Sequence, residues 1–223
     1  MRFPIIAAMR VLSVSDEVAR EVYSAGIRER FAGTEMVFGC GDLQPSYLEY
    51  IISMLDTPCL YVPGNHDVAP EETAWGGVVP APQGGINVDG RVIRIKGLTV
   101  AGLGGSIWYN GGKHQYTELQ MMARVLLLLP RVLLRRRRDG HPLDVLLTHS
   151  PLAGIHDGPR AHRGFQSLVY FVRRVMPRYV IHGHVHKQYR YNAATTTQVG
   201  PTLVINTAGY RALEIVPVER KNR

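Results

Sequence analysis

Pro58-Cys59-Leu60-Tyr61-Val62-Pro63-Gly64-Asn65-His66-Asp67 is the stretch on which the fold turns. Its first half is an apolar run of strand length, and Pro63-Gly64 halts it. Side chains able to hold a metal or move a proton follow at once. Working outward, the same arrangement recurs. Arg10 to Val14 reads as a strand running into Asp16, and Glu35 to Phe38 as one running into Gly41-Asp42. Val145 to Leu147 leads to His149, and Tyr179 to Ile181 leads to Gly183-His184-Val185-His186.

The segments between these strands are helical in pattern. A helix is expected from Asp16 to Phe31, with Gly33 beyond its end as a stop, and a second from Tyr47 to Leu55. Strand–helix–strand–helix–strand order predicts a parallel sheet with right-handed crossovers. Residues 76–90 are rich in Gly and Pro and read as a long loop. Val92 to Ile95 and Leu98 to Leu103, split by Lys96-Gly97, read as a hairpin. A long helix is expected from Thr117 to Arg138, kinked at Pro130, and another from Phe165 to Val175. The tail, Thr195 to Val199, Thr202 to Asn206 and Ala212 to Val216, reads as antiparallel strands of a second sheet.

The 223 residues suffice for one sizeable core and read as one domain, 1–223. Met9-Arg10 would serve equally well as a start, so residues 1–8 read as a dispensable extension. Their apolar stretch, Pro4 to Ala8, is too brief for a signal peptide, and no run reaches the length of a membrane span. Two cysteines, Cys40 and Cys59, make no disulfide framework and suit a reducing, cytoplasmic setting. Cys40, next to Gly41-Asp42, is either a neighbour of that site or, on the preferred reading, a small buried residue ending a strand. The net charge of +8 suits anionic substrates, phosphate esters and nucleic acid among them. Much of it sits at Arg135 to Arg138. That run is either a solvated helix end or a contact surface for nucleic acid, membrane or partner.

In open α/β sheets, ligands gather at the carboxyl ends of strands. Asp16, Asp42, Asn65, His149, His184 and His186 all fall there. A lone Asp after a strand is usually a helix cap, and a lone His is usually structural. Their recurrence points instead to a hydrolytic two-metal site. The histidines of His184-Val185-His186 would share a face on an extended strand, and Gly183 suits close backbone approach.

In these residues the chain resembles the calcineurin-like metallophosphoesterase superfamily, whose pattern runs Asp-x-His, Gly-Asp, Gly-Asn-His-(Asp/Glu), His, Gly-His-x-His. The resemblance implies an α/β fold: a four-layer α/β/β/α sandwich, two mixed β-sheets flanked by helices. It implies two divalent transition-metal ions, with Asp42 bridging them. Asp16 and His186 would hold the first, and Asn65, His149 and His184 the second. Mixed oxygen and imidazole donors suit Mn, Fe or Zn. The implied activity is hydrolysis of phosphate esters, phosphodiesters in preference to monoesters, by a metal-bridging hydroxide attacking phosphorus in line. His66 would act beside Asp42, steadying the transition state or protonating the leaving oxygen. Protein Ser/Thr phosphatases of the superfamily carry Val-Asp-Arg-Gly near this point. Leu43-Gln44-Pro45-Ser46 lacks that Asp and argues against a protein substrate.

The first element departs from the pattern, since Asp16-Glu17-Val18 puts valine where histidine is expected. Either the first metal binds weakly, or another residue fills the gap, or one metal is held and the protein is slow or inactive. Restoring His at position 18 is then expected to tighten the first metal. Glu17 is a substitute ligand or, on the preferred reading, a first-turn helix residue. His114 or His162 could reach in from loops, and His162 and Asp157 suit substrate-binding or supporting positions. His182 either points away from the motif or supports it through a hydrogen bond, and His141 reads as a loop residue. The alternative to an enzyme is a catalytically weak or inactive binding or scaffold protein on the same fold.

Overall fold

A computed structural model describes residues 8–67, 71–72, 77–140, 143–186 and 194–218, the side chains of 71–72 and 136–139 excepted. The expectations for residues 1–7, residue 76 and His141 lie outside the described residues.

The first sheet is built from β1 (Met9–Ser15), β2 (Met36–Gly39), β3 (Cys59–Tyr61) and β4 (Gly85–Asn87), all parallel. The second holds β5 (Val92–Ile95), β6 (Leu98–Leu103), β7 (Val145–Thr148), β8 (Tyr179–His182), β9 (Thr196–Val199) and β10 (Thr202–Asn206), in the order β9-β10-β8-β7-β6-β5. Here β6, β7, β8 and β10 run parallel, and the edge strands β5 and β9 run antiparallel. The last strand, β11 (Gly209–Ile215), returns to the first sheet and pairs antiparallel with β1 along its whole length.

Side-chain alternation on these strands makes three cores in a stack. Val11, Met36, Phe38 and Leu60 of the first sheet meet Val100, Val145, Leu147 and Ile181 of the second. The opposite parity of the first sheet, Leu12, Val14, Val37 and Cys59, packs on Ile27 of α1 (Ile27–Arg30) and on Tyr47, Leu48 and Ile51 of α2 (Pro45–Leu55). The opposite parity of the second sheet, Ala101, Leu103, Leu146 and Val180, packs on α3 (Glu118–Asp139) and α4 (Gln166–Val175). The result is the four-layer α/β/β/α sandwich.

Three local expectations are corrected. Asp16 to Phe31 is not one helix. Asp16 takes a left-handed φ of 69°, Val22 and Tyr23 both close turns onto the Ala19 carbonyl, and helix begins only after Gly26. The apolar spacing survives because Val22, Ile27 and Phe31 are still buried. Residues 76–90 are not all loop, since they supply β4 and the pair Val78–Val79 with Glu71–Glu72. The tail is also not a set of antiparallel strands in one sheet. β9 and β10 form a hairpin, β10 lies parallel to β8, and β11 belongs to the other sheet.

Candidate metal centre

The carboxyl ends of β1, β2, β3, β7 and β8 converge at one rim, and the chain leaves each in a tight turn. Asp42 and His184 both adopt positive φ, 56° and 68°, conformations that short loops around a centre impose on L-residues. Glycines let these loops touch. A Cβ on Gly41 would lie 2.6 Å from both the Gly64 nitrogen and Nδ1 of His149. One on Gly183 would overlap Ser15 and come 2.6 Å from Oδ2 of Asp16.

Among the described residues, Asp42, His149 and His184 bring ligand atoms within 4.8 Å of one another. His149 is fully buried, and its Nδ1 donates to the Cys40 carbonyl at 2.7 Å, since a carbonyl only accepts. Its Nε2 therefore faces the centre, 3.4 Å from Oδ2 of Asp42 and 3.1 Å from Oδ1 of Asn65. His184 is oriented the same way: its Nε2 donates to the Ala161 carbonyl at 2.7 Å, leaving the lone pair on Nδ1. Asn65 donates from Nδ2 to the Tyr109 hydroxyl at 3.1 Å, which turns its Oδ1 inward. Each donor is thus fixed by a partner behind it, as metal-binding side chains commonly are.

The electrostatics match. Burial opposes ionisation of Asp42, but the charge and hydrogen bond of His149 and the His66 amide outweigh it and hold the carboxyl below its usual range. Burial likewise opposes charge on His149, yet Asp42, Asp16 and the Cys40 carbonyl raise it to about 9. Burial, followed by the charge of His149, pushes His184 down to about 3, so it is neutral. One cationic ring between carboxylates stands where a metal ion would supply the charge. The oxygen and imidazole donors fit a transition metal in the Mn, Fe, Zn range.

The remaining residues of the sequence pattern are distributed around this cluster. The Asp16 carboxylate accepts the His184 amide through both oxygens, each at 2.9 Å, and burial raises its pKa. His186 is half-buried and close enough to act on the charge of Asp16. The His66 side chain is 72% exposed, with Nε2 4.0 Å from Oδ2 of Asp42, while its amide donates to Oδ1 at 2.7 Å. The His162 ring lies 5.1 Å from that of His184, tilted 44° to it. His114 lies on a cleft of about 620 Å3 shared with Asp42, His66 and Lys113. Asp157 accepts the Gly164 amide within its own loop, 3.3 Å away. Glu17 and Val18 are exposed, Val18 by 45%, beside a hollow formed with Tyr210 and Arg211.

Sequence reasoning left three contributors without a place. Asp67 accepts amides from Asp42 (3.0 Å), Leu43 (2.9 Å) and Gly64 (2.7 Å), tying two ligand loops together. Its place in Gly64-Asn65-His66-Asp67 was the available signal. Tyr109 orients Asn65, and His156 supports His182; as lone residues in loops, neither carries a spacing signal. His182 is buried and pushed down to about 3 by that burial, and its Nδ1 donates to the Gly183 carbonyl at 2.9 Å. Its Nε2 accepts from Nδ1 of His156 at 3.0 Å, and Nε2 of His156 accepts from the Thr197 hydroxyl at 2.8 Å. Cys40 meets the site only through its carbonyl. Its thiol is buried, raised by desolvation, and contacts the Ser13 hydroxyl at 3.7 Å.

A family model for calcineurin-like phosphoesterases matches residues 33–188, spanning the Gly41-Asp42, Gly64-Asn65-His66-Asp67, His149 and Gly183–His186 turns. The chain belongs to the calcineurin-like phosphoesterase family. This is a superfamily of metal-dependent phosphoesterases, hydrolases that bind phosphate esters. An uncharacterized protein of Haemophilus influenzae is 25% identical over 168 residues, 69% of this chain and 70% of that protein. The crystal structure of TT1561 of Thermus thermophilus superposes with a TM-score of 0.54 at 14% identity, covering 91% of this chain and 90% of that one. The calcineurin-like phosphoesterase YfkN of Bacillus subtilis covers 96% and 93% at 10% identity, with a TM-score of 0.42. The phosphoesterase chain contains no described helix long and apolar enough to cross a membrane.

Proposed function

We propose that this family member is an active metal-dependent phosphoesterase that hydrolyses phosphodiesters in preference to monoesters. The observation that carries it is the convergence of Asp42, His149 and His184 within 4.8 Å, oriented from behind and placed beside a cleft. With Asn65 these residues would hold one divalent ion, and Asp16, Asp42 and His186 a second. Bound there, such ions supply Lewis acidity toward phosphoryl oxygens and a water nucleophile at neutral pH.

The chain's own groups supply the rest. His66 projects into the cleft from the loop that Asp67 pins, where its imidazole can donate a proton to the leaving-group oxygen. Lys113, which lines the same cleft, offers a cation to a non-bridging oxygen. Pro80 to Pro82 and Lys113-His114 line that cleft together with Asp42 and His66, and its volume of about 620 Å3 has room for a phosphate that carries two substituents. This favours a diester.

The test is hydrolysis by Mn-loaded protein of a bis-aryl phosphate, an aryl monophosphate and cyclic nucleotides. Activity on the diesters that disappears in Asp42→Ala and His184→Ala is expected. Two metals per chain by elemental analysis with no turnover on any substrate would leave a metal-binding scaffold. Turnover retained in both variants would mark a contaminant.

A further inference from the structure

α3 has two faces of very different character. Met121, Val125, Leu128 and Val132 are buried against the second sheet and α4. At about 100° per residue, Leu119, Ala123, Leu126, Leu127, Pro130 and Leu134 fall on the opposite arc, and all of them are exposed. Leu119 is 80% exposed, Leu127 71% and Leu134 60%. From Leu119 to Leu134 that arc carries no charged side chain and runs for about 24 Å. Singly exposed leucines need no explanation; a contiguous stripe of them does.

The charge around the stripe is predominantly positive. Besides Arg124, which is paired with Asp89, α3 carries Arg131 and the terminal run Arg135–Arg138 against only Glu118 and Asp139. The adjoining α4 ends in Arg173 and Arg174, both exposed, and has no acidic residue. Glu118 is already committed, accepting the Gln166 and Ser167 amides at 3.2 and 2.6 Å and so capping α4.

We infer that the outer face of α3 docks on a bilayer surface containing anionic phospholipid. The helix would lie in the interface, with its leucines among the acyl chains and its arginines at the headgroup phosphates. Insertion across the bilayer is not involved, since no described helix is apolar enough to span it. A second copy of the chain fits less well. Antiparallel pairing of two stripes sets each arginine run beside the other copy's Glu118, whose carboxylate is occupied, and parallel pairing sets arginine against arginine. A nucleic acid would answer the arginines but would leave the leucine stripe in water. Anionic lipid answers both.

The experiment is flotation of the full chain with vesicles of phosphatidylcholine alone or mixed with phosphatidylglycerol. Binding to the mixed vesicles only, weakened by salt, is expected. The double substitution Leu126→Glu/Leu127→Glu should reduce it by at least about tenfold. Both leucines are solvent-facing, so the thermal melt of the variant should match that of the wild type; Leu119→Glu serves as an independent second variant. Equal flotation of the wild type and both variants would overturn the proposal, as would indifference to phosphatidylglycerol. So would a dimer that the leucine variant splits while neither form binds vesicles, or duplex DNA binding that the leucine variant leaves intact while vesicles are ignored.

Discussion

Nδ1 of His156 lies 3.0 Å from Nε2 of His182, and the proton between them belongs to His156. The direction follows from the far end: the Gly183 carbonyl can only accept, so His182 donates from Nδ1 and has only a lone pair at Nε2. The chain Thr197 hydroxyl, His156, His182, Gly183 carbonyl ends one residue before His184. Replacing His156 by Ala strands a buried acceptor, at a cost of about 1–3 kcal/mol. Metal affinity should fall by about tenfold or more, as for other groups that orient ligands from behind. A thermal melt and a metal titration read the two effects. Unchanged affinity would mean that the His184 loop is held without this support.

Asp67 gathers three amide hydrogens from the loops that carry Asp42 and Asn65. Asp67→Ala should therefore destabilise the protein by about 2–4 kcal/mol, given that hydrogen bonds to a charged acceptor are the stronger class. Asp67→Asn keeps one acceptor oxygen and should cost less. Chemical denaturation checks both, and equal stability of the two variants would contradict the proposed clamp.

Filling the site formed by Asp42, His149 and His184 should be coupled to one proton. His149 is raised to about 9 and must lose its Nε2 proton to ligate, whereas His184, pushed to about 3, and Asp42, held below its usual range, are already deprotonated at neutral pH. Affinity should rise about tenfold per pH unit through neutrality and level off above about 9. The same shift acts on the metal-free protein in the opposite sense. A histidine raised above its unfolded value stabilises below about 6.5 and ceases to do so as pH passes through about 9. Calorimetric titration in buffers of different ionisation enthalpy would count the proton. Release of two would show that a second group, His184 or the burial-raised Asp16, is protonated in the metal-free protein.

Val18 is 45% exposed, beside a hollow shared with Tyr210 and Arg211. Val18→His is accordingly expected to leave the number of metals bound per chain unchanged, contrary to what the family pattern alone implies. Elemental analysis of the variant decides it. A gained ion would require the turn after Asp16 to swing inward.

What the chain revealed before folding was the rim of the site. Strand runs ending in Gly41-Asp42, Gly64-Asn65-His66-Asp67 and Gly183-His184 are short-range signals, and the structure places those turns together. Longer-range features were hidden. A strand at 212–216 is readable from alternation, but its start at Gly209 and its choice of β1 over β10 depend on pairing across the whole chain. The segment from Asp16 to Phe31 has helical spacing, yet the left-handed turn at Asp16 and the break at Gly26 are tertiary outcomes. His156 is a lone histidine in a loop, and only folding sets it against His182.

The strand that delivers Asp16 has the last strand of the sheet as one neighbour, from Met9 against Ile215 to Ser15 against Gly209, and the Ser13 hydroxyl reaches Thr207 at 3.0 Å. Loop closure over that separation is slow relative to local structure. A chain growing from the ribosome can assemble β2, β3 and the Asp67 clamp early. β1 gains its second partner only when residue 215 has emerged, so completion of the centre waits for a strand nearly two hundred residues downstream.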